Sequence, residues 1–503
     1  MNYNDIYISL IPFFVVAVSL AAVPLILLSS RYPNLREFWT ILASVVKFGL
    51  VLSLLPGALT GRIAEFTILQ IAPDIGLTLR VDQFGIFFAL IASGLWIFTS
   101  FYSIGYVRGN SEKKQTRYFA SFAVCLSATM GIAFAGNLLT FIIFYEMLTI
   151  ATYPLVIHKE NKEAIAAGRK YLIYTLSAGV ILIAAAGLTY YYTGTLEFNP
   201  GGIFEGIIIS QNSAVVLFLL FLSGVGVKAG IMPFHSWLPA AMAAPTPVSA
   251  LLHAVAVVKS GVFGVIRVVG FIFGPEFMAN YGLNNLLLIF AGTTIILASL
   301  IAFKQDNLKK RLAYSTIGHL SYIVLGAALL SPSGFTGGIM HIATHATMKI
   351  TLFFCAGAIY VNLHKENISD LKGIAKVMPW TMAAFTIGSM GLAGIPPING
   401  FVSKWFLGVG AVQSDQVIAL FILITSGILN VGYFFPIIKT AYFDEGKGLE
   451  KYGEASMLMV FPIMITAVLS ILFGLNPNLF FNFYSLAVDI TNNIMNGFMF
   501  SGG

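Results

Sequence analysis

Two short stretches of the sequence interrupt otherwise apolar segments: VGVKAGIMP at residues 225–233 and GLAGIPP at residues 391–397. Both contain the pattern Ala-Gly-Ile-x-Pro, and each stands near a lysine, Lys228 or Lys404. Proline lacks a backbone donor and clashes with the preceding helical turn. We therefore predict helix breaks at Pro233, Pro396 and Pro397. Lipid cannot satisfy the backbone groups that a break frees, so each break must face protein or a water-filled cavity.

The composition excludes a soluble protein. Of 503 residues, 58% are hydrophobic and 10% are charged, whereas an ordinary globular chain carries about 25% charged residues. A scan with a window of about 19 residues predicts about fourteen membrane helices, with the breaks in helices 7 and 12. The predicted fold class is therefore an all-α polytopic membrane protein. Residues 6–30 are long enough to cross a bilayer, so we expect a membrane helix there rather than a cleaved signal.

Charge predicts the orientation of the chain. Lys and Arg number 28 against 21 Asp and Glu, and they concentrate in alternate loops: those after helices 1, 3, 5, 9, 11 and 13. Such loops are cytoplasmic in membrane proteins. Arg62 and Arg80 are exceptions. We expect a multi-pass protein of a prokaryotic inner or plasma membrane, with both termini on the non-cytoplasmic side. The modest excess of cations gives no reason to expect a nucleic-acid partner.

The two break motifs also predict internal symmetry. Helix 7 runs inward and helix 12 outward, and similar broken segments in oppositely oriented helices are typical of inverted-repeat transporters. Two unrelated proline kinks are the alternative. The predicted divisions are helices 1–3 at 1–115, a first five-helix repeat at 116–272, a second at 283–440, and helix 14 with the C-terminal segment at 441–503. Outside the helices we expect a short outer hairpin at 62–82 and a surface-lying helix within 478–500.

Ionisable residues at membrane depth are the candidate functional residues. A Lys or Asp at a helix centre costs about 2.5–3.5 kcal/mol on insertion scales, so such residues usually serve a function. The deep ionisable residues of this kind are one glutamate, Glu146, and four lysines: Lys228, Lys259, Lys349 and Lys404. Lys47 is alone in its span, which favours a structural role for it. Arg267 lies near a helix end, so we expect its side chain to snorkel to the membrane surface.

Histidines extend this set. His341 and His345 share one helix face with Lys349, at spacings of four residues. His253 and His319 are secondary candidates. Bonds to neighbouring helices or buried water are the alternative role for these histidines. A metal site is not expected, because no carboxylate or third histidine is near in sequence.

Paired Glu and Lys side chains suit proton transfer. Removal from water weakens the hold of a lysine on its proton, and a nearby carboxylate restores it. At about 6 Å and an effective dielectric constant near 20, the attraction is about 2.8 kcal/mol. We therefore hypothesise that the spacing between Glu146 and Lys228 sets the protonation of the lysine. No haem, flavin or nicotinamide motif occurs, so no cofactor is expected. The cysteines, Cys125 and Cys355, lie in apolar runs and form no Cys-x-x-Cys motif.

The most specific motifs are VKAGIMPFHSWLP at residues 227–239 and APTPVSALLHA at residues 244–254. They resemble the antiporter-like membrane subunits shared by respiratory complex I, Mrp-type sodium/proton antiporters and membrane-bound hydrogenases. The segment from helix 7 to helix 8 looks most like the D-type subunit of Mrp antiporters. The resemblance implies fourteen helices with two inverted five-helix repeats, and it spans most of the chain.

By that resemblance, Glu146 corresponds to the conserved glutamate of helix 5 and Lys228 to its partner in broken helix 7. Lys259 then looks like the central lysine, and Lys404 like the terminal residue of broken helix 12. The onward relay corresponds to His341, His345 and Lys349. Lysine at 404 departs from the glutamate typical of the M-type complex I subunit, and the long lateral helix of the L-type subunit is absent.

The resemblance also implies partners: other membrane subunits, with a peripheral redox arm as an option. It implies proton movement and leaves open whether sodium is carried and whether the parent complex is a redox-driven translocase. An antiporter-like proton-translocating subunit is the leading interpretation. A pumping subunit of a complex I-like or hydrogenase complex, a stand-alone solute carrier and a membrane scaffold are the alternatives. Costly buried lysines disfavour a scaffold.

Overall fold

The computed structural model describes residues 6–73, 75–446, 453–496 and 498, and for 251–254 the backbone alone. It is predominantly helical. The long helices are α1 (Ile11–Leu28), α2 (Pro33–Leu59), α3 (Gln83–Gly109), α4 (Gln115–Ala133), α5 (Leu138–Val156), α6 (Lys162–Thr193), α7 (Gln211–Ala229), α8 (Val257–Arg267), α9 (Leu283–Phe303), α10 (Leu308–Ala328), α11 (Pro332–Leu363), α12 (Pro379–Ala393), α13 (Asn399–Gln413), α14 (Val417–Phe443), α15 (Met457–Leu475) and α16 (Phe483–Met495).

Shorter elements connect these helices. Single turns lie at Trp237–Ala240, Ala241–Ala243, Thr246–Val248, Pro275–Asn280, Ile368–Asp370 and Ile374–Lys376, and π-helical segments, Ser249–Ala256 and Val268–Phe273, flank α8. Ten helices in the described part of the chain are long and apolar enough to cross a membrane. Four further segments, α4, α8, α10 and the broken pair of α12 and α13, bring the number into agreement with the fourteen predicted crossings.

The connections fall on two opposite faces. One, the sheet face, holds a three-stranded sheet whose strands are β1 (Ile6–Ile8), β2 (Ile63–Ala72) and β3 (Ile75–Val81). Backbone bonds tie the loop before α5 to β3, from Gly136 to Thr78 at 3.0 Å. The opposite face gathers the cation-rich loops, where Arg117 pairs with Glu160 at 2.5 Å. The alternation of loops expected from charge is therefore seen in the fold.

The predicted outer hairpin is confirmed. β2 and β3 pair antiparallel, with Glu65 opposite Arg80, and β1 adds a parallel strand that sequence analysis did not predict. Alternating side chains leave one face of β3 buried on the helices, as expected of a half-buried strand. Arg80, an exception to the charge rule, is neutralised by Glu65 at 2.6 Å and Glu197 at 2.8 Å.

The two helix breaks have the same geometry. α7 ends at Ala229 and α12 at Ala393, and each is followed by a glycine in the left-handed conformation, with φ of 71° at Gly230 and 91° at Gly394. In both, the next residue donates its N–H to the carbonyl five positions earlier, at 3.0 Å. This is the Schellman pattern, and it requires glycine because a Cβ strains a positive φ. Two unrelated kinks would not be expected to share these bonds.

A second pair of contacts relates the halves of the chain. The N–H of Leu138 bonds to the carbonyl of Leu196 at 2.8 Å, and that of Leu308 bonds to Glu366 at 2.9 Å. Both bonds join the start of the second helix of a half to the loop after the third. The first lies on the sheet face and the second on the opposite face, so the two halves are inverted. The boundaries 116–272 and 283–440 stay predictions.

The C-terminal helix differs from the expectation of a surface-lying helix. α16 buries Leu486, Ile490 and Ile494 against α3 and α11, and Thr336 donates to Thr491 at 3.1 Å. Its apolar side is therefore covered by protein rather than by lipid. Residues 497, 499 and 500 of the predicted segment lie outside the described residues.

A small residue allows α8 to cross the first break. A Cβ built on Gly261 would lie 2.1 Å from the backbone nitrogen of Ala229. We expect Gly261→Ala to lower the apparent melting temperature of the detergent-purified protein and its yield in membranes, because backbone has to move at a cost of about 1–3 kcal/mol. Gly187→Ala in α6 is the control, since nothing lies within 4 Å of its Cβ. Equal behaviour of the two variants would contradict this packing.

Candidate functional site: a buried basic network between two helix breaks

The first cluster lies at the break after α7. Lys228 is fully buried one residue before the end of α7. Its ammonium donates to the carbonyl of Tyr145 at 2.5 Å and lies 3.3 Å from the centroid of the Tyr145 ring. At the break, the carbonyl of Val227 accepts from the indole of Trp237 at 2.7 Å and from the N–H of Gly230 at 3.2 Å. The lysine is thus held by α5, and the indole completes the hydrogen bonding of the helix end next to it.

Glu146 lies beside this cluster, as the sequence predicted. It shares an electrostatic interaction with Lys228, yet no ion pair within 4.0 Å joins the two, and one carboxylate oxygen, Oε1, is buried without a hydrogen-bond partner. Its side chain is half-buried and sits over Gly179 of α6, where a Cβ would lie 2.4 Å from that oxygen. The pair is therefore placed for interaction but separated, which is what a gate of variable spacing requires.

The middle of the network contains Lys259, His345 and Lys349, all fully buried. Lys349 donates to the carbonyl of Leu312 at 3.2 Å. The ammonium of Lys259 and both ring nitrogens of His345 have no hydrogen-bond partner, although the two residues interact electrostatically. Buried polar groups are otherwise almost always paired. Ordered water is the partner that such a site would hold.

The second cluster is a hydrogen-bonded pair of imidazoles. His319 Nδ1 lies 3.1 Å from His341 Nε2, and His341 Nδ1 lies 2.8 Å from the Ser403 hydroxyl. Their ring centroids are 5.4 Å apart, and that of His345 lies within 5.9 Å of both. His319, a secondary candidate in the sequence, is therefore a full member of the network.

Two residues of α14 extend this string and were missed by sequence reasoning. Asn430 Nδ2 lies 3.3 Å from His319 Nε2, and Tyr433 donates to Asn430 Oδ1 at 2.5 Å. The same hydroxyl reaches Ser315 at 2.8 Å. Both α14 residues are about 1% exposed. Uncharged polar residues are frequent in membrane helices, so their presence in α14 is not a signal by itself. Only knowledge that α14 packs against a buried histidine could have identified these two residues.

Lys404 lies at the second break. Its ammonium donates to the freed carbonyls of Leu392 at 2.6 Å and Ala393 at 3.1 Å. It is 5.2 Å from the centroid of the Tyr322 ring, and its side chain is only half-buried. Pro233, Pro396 and Pro397 all lie within the breaks, as predicted. Each break therefore places a lysine close to backbone that no helix satisfies.

Other predicted residues are placed differently. The side chain of His253 lies outside the described residues. Lys47 is fully buried away from the network, donating to Ser19 at 2.5 Å, in keeping with a structural role. The expectation that Arg267 snorkels is wrong: it is 1% exposed and holds Asp82 through two bonds of 2.5 and 2.8 Å. Four phenylalanine rings surround its guanidinium. The ion pair therefore joins the start of α3 to the end of α8 inside the protein.

Chemically, the network offers a series of groups that can exchange protons. Carboxylate, amine and imidazole groups lie at the two breaks and between them, and two of the residues between them, Lys259 and His345, have no hydrogen-bond partner. Among the described residues, no group of three or more His, Cys, Asp or Glu residues is arranged to hold a metal ion. The fold and this site define a polytopic membrane protein of the inverted-repeat transporter class.

Residues 135–429 match the family described as NADH:quinone oxidoreductase/Mrp antiporter, transmembrane. The chain belongs to this family. It is 29% identical over 456 residues to NADH-quinone oxidoreductase subunit N of Desulforudis audaxviator, covering 89% of this chain and 87% of that one. It is 30% identical to hydrogenase-4 component B of Escherichia coli, covering 80% and 63%. It is also 30% identical to the A-type Na(+)/H(+) antiporter subunit of Alkalihalophilus pseudofirmus, covering 84% and 55%.

Solved structures share the whole fold. A chain of the Mrp complex from Dietzia sp. matches with a TM-score of 0.87 and 21% identity, and covers 98% of both chains. A chain of the archaeal membrane-bound sulfane sulfur reductase matches with a TM-score of 0.87 and 24% identity, and covers 97% of this chain and 98% of the other. At these identities the likeness concerns the fold alone.

The unpartnered ammonium of Lys259 predicts a conflict between stability and activity. We expect Lys259→Met to raise the apparent melting temperature of the purified protein by the equivalent of about 1–3 kcal/mol, because an apolar side chain replaces a buried amine that no protein group bonds, and to reduce ion flux. Lys372→Met, at an exposed lysine, is the control and should change neither. A lower melting temperature for Lys259→Met would contradict the absence of protein partners around the ammonium.

Proposed function

We propose that this chain is the proton-translocating, antiporter-like subunit of a multisubunit membrane complex that performs cation/proton antiport of the Mrp type. The observation that carries the proposal is the placement of buried basic residues between two equivalent helix breaks, with Glu146 at one end and Lys404 at the other. Family membership and the fold support it. The resemblance of helices 7 and 8 to the D-type subunit of Mrp antiporters narrows the proposal to that position.

In the proposed mechanism, a proton is held on Lys228 while Glu146 is near and is released when the two separate. Lys259 and His345 accept it through water, and the pair His319 and His341 carries it toward Lys404. Hydrogen bonds join the groups around each break, and water completes the path at Lys259 and His345, so no charge has to enter lipid. The broken helices supply the flexible backbone that allows the spacing to change.

Two apolar surfaces support a subunit role. On α6, Ile173, Val180 and Ile183 are 59–68% exposed, and on α14 Phe421 and Ile428 are 65–68% exposed. The first surface borders half-buried Glu146, and the second borders α13, which carries Lys404. Charge near a membrane surface is costly when it faces lipid. We infer that neighbouring membrane subunits cover both ends of the network, and that a redox arm, if present, binds elsewhere in the complex.

The charge pattern supports an orientation. The cation-rich face opposite the sheet is proposed to be cytoplasmic, which places both termini on the non-cytoplasmic side of a prokaryotic cell membrane. The cations on the sheet face are not free charges in two cases: Arg80 is paired with Glu65 and Glu197, and Arg267 with Asp82. Pairing thus accounts for Arg80, one of the two exceptions to the rule; the other, Arg62, lies over the ring of Tyr7 at 5.0 Å.

A second candidate function is proton pumping in a complex I-like or hydrogenase complex, which the similarity to subunit N and to hydrogenase-4 component B favours. The same network serves both functions, and the driving force distinguishes them. A stand-alone solute carrier is disfavoured because the polar groups form a string along several helices rather than lining one substrate pocket.

The function is tested with proton and sodium flux in inverted vesicles that carry the native complex, driven by an imposed pH gradient or by redox substrates. Lys228→Ala should reduce flux by at least tenfold while the complex still assembles, because the string loses its first basic group. Lys47→Ala is a matched control, since that lysine is buried outside the network. Intact flux in Lys228→Ala would overturn the proposal. Flux driven by the pH gradient would identify an antiporter complex, and flux driven by redox substrates would identify a redox-driven complex.

Glu146, the carboxylate beside Lys228, gives an independent prediction. Glu146→Gln keeps the shape of the side chain but removes its charge, so Lys228 loses the group that retains its proton. We expect flux to fall and its dependence on pH to shift, measured in the same vesicles. Glu163→Gln, at an acid of the cation-rich face, is the control. Unchanged flux in Glu146→Gln would exclude the gate.

A further inference from the structure

Asn430 occupies a position that no family motif in the sequence pointed to. It lies on α14 between the second break and the imidazole pair, and it is 1% exposed. Its Nδ2 atom lies 3.2 Å from the carbonyl of Leu392 and 3.3 Å from His319 Nε2. Its Oδ1 atom accepts from Tyr433 at 2.5 Å. The amide therefore uses both of its donor hydrogens and its acceptor inside the protein.

These contacts fix the orientation of the amide. A backbone carbonyl accepts and never donates, so the atom facing Leu392 must be the NH₂ group. A flipped amide would place its oxygen against that carbonyl and would lose the bond from Tyr433. The second N–H of Asn430 then points at His319 Nε2, which has to accept.

The orientation propagates along the histidines. A neutral imidazole carries one proton, so acceptance at Nε2 places the proton of His319 on Nδ1. His319 Nδ1 then donates to His341 Nε2, and His341 in turn carries its proton on Nδ1 and donates to Ser403. From Asn430 through His319 and His341 to Ser403, the donors all point the same way, toward α13. The tautomer of both histidines follows from one amide.

We propose that Asn430 is a positioning residue that holds the histidine pair in this tautomer and keeps His319 Nε2 from exchanging a proton with the second break until that break moves. Two hydrogen bonds connect it to the break. The Leu392 carbonyl accepts from Asn430 at 3.2 Å and also from Lys404 at 2.6 Å. An amide cannot pass on a proton, so His319 exchanges one on this side only when the bond to Asn430 breaks. A shift of the Leu392 carbonyl, on loss of the Lys404 proton, releases the amide.

Several titratable groups surround His319 and would contribute to any pH dependence. His341, His345 and Lys349 face it from α11, Lys404 from α13 and Lys259 from α8. Tyr322, on its own helix, packs edge-on at 5.0 Å. A change in pH dependence is therefore assigned to Asn430 only when His319 is observed directly. This inference rests on the proposed proton relay, and the experiment separates the two.

The test combines ¹⁵N-histidine NMR with flux in the native complex. Wild-type complex at neutral pH should show His319 protonated at Nδ1, assigned by loss of the signal in His319→Gln. Asn430→Leu removes the NH₂ donors and should produce a mixture of tautomers, whereas Asn430→Asp replaces a donor by an acceptor and should favour protonation at Nε2. In Asn430→Leu the limb of the flux–pH profile that reports His319 should move to higher pH by about 0.5 to 1 unit, the equivalent of one neutral hydrogen bond. In Asn430→Asp it should move in the same direction and further, because the carboxylate also attracts the imidazolium. Thr425→Ala is the control, because Thr425 lies on the exposed side of the same helix, α14.

Each outcome is decisive for one claim. An Nε2-protonated His319 in the wild type overturns the inference without any variant, even if Asn430→Leu fails to assemble. Asn430→Asp with wild-type tautomers and a wild-type flux profile also overturns it, while loss of flux in Lys228→Ala leaves the relay standing. Intact flux in Lys228→Ala overturns the relay itself. Changed tautomers together with the shifted profile, and no change in Thr425→Ala, support the assignment.

Discussion

Backbone carbonyls that no helix satisfies are the constraint on which this structure depends. α7 and α12 each end at an alanine in the middle of the protein, and the following glycine turns the chain out of the helix. In hydrocarbon such groups are too costly to leave unpaired. Here a tryptophan indole bonds Val227 and the Lys404 ammonium bonds Leu392 and Ala393. The breaks therefore need polar side chains around them, and the polar side chains in turn need the breaks.

The same constraint explains why charge and hydration coincide. A fully buried lysine is tolerable when it is neutral or has a partner. The partners here are carbonyls and aromatic rings, and for Lys259 and His345, which no protein group bonds, water is the partner that the account proposes. Helices that pack closely keep this interior separate from lipid; Gly261 lets α8 cross the first break, and Gly400 sits against the carbonyl of Gly391 at the second. Close packing of the helices and a polar interior can therefore coexist in this fold.

Much of the framework could be predicted from the sequence because its signals are local. Ala-Gly-Ile-x-Pro specifies a helix end wherever it occurs, the hairpin alternates over neighbouring residues, and a lysine in an apolar run is conspicuous by itself. The positions of Glu146 and Lys228 followed in this way. Asn430, Tyr433 and Ser403 could not be found, because their significance comes from partners more than 60 residues away. Arg267 was misjudged for the same reason, since Asp82 lies 185 residues earlier.

The central claim is that the buried residues form one hydrated path from the break at Gly230 to the break at Gly394. The most direct measurement is a cryo-EM structure of the native complex at a resolution that shows ordered water. The account predicts water that bridges Lys259 Nζ to His345 and continues toward Lys349 and Lys228. Close apolar packing around Lys259, with no ordered water between it and His345, would contradict a continuous path and leave two separate polar clusters.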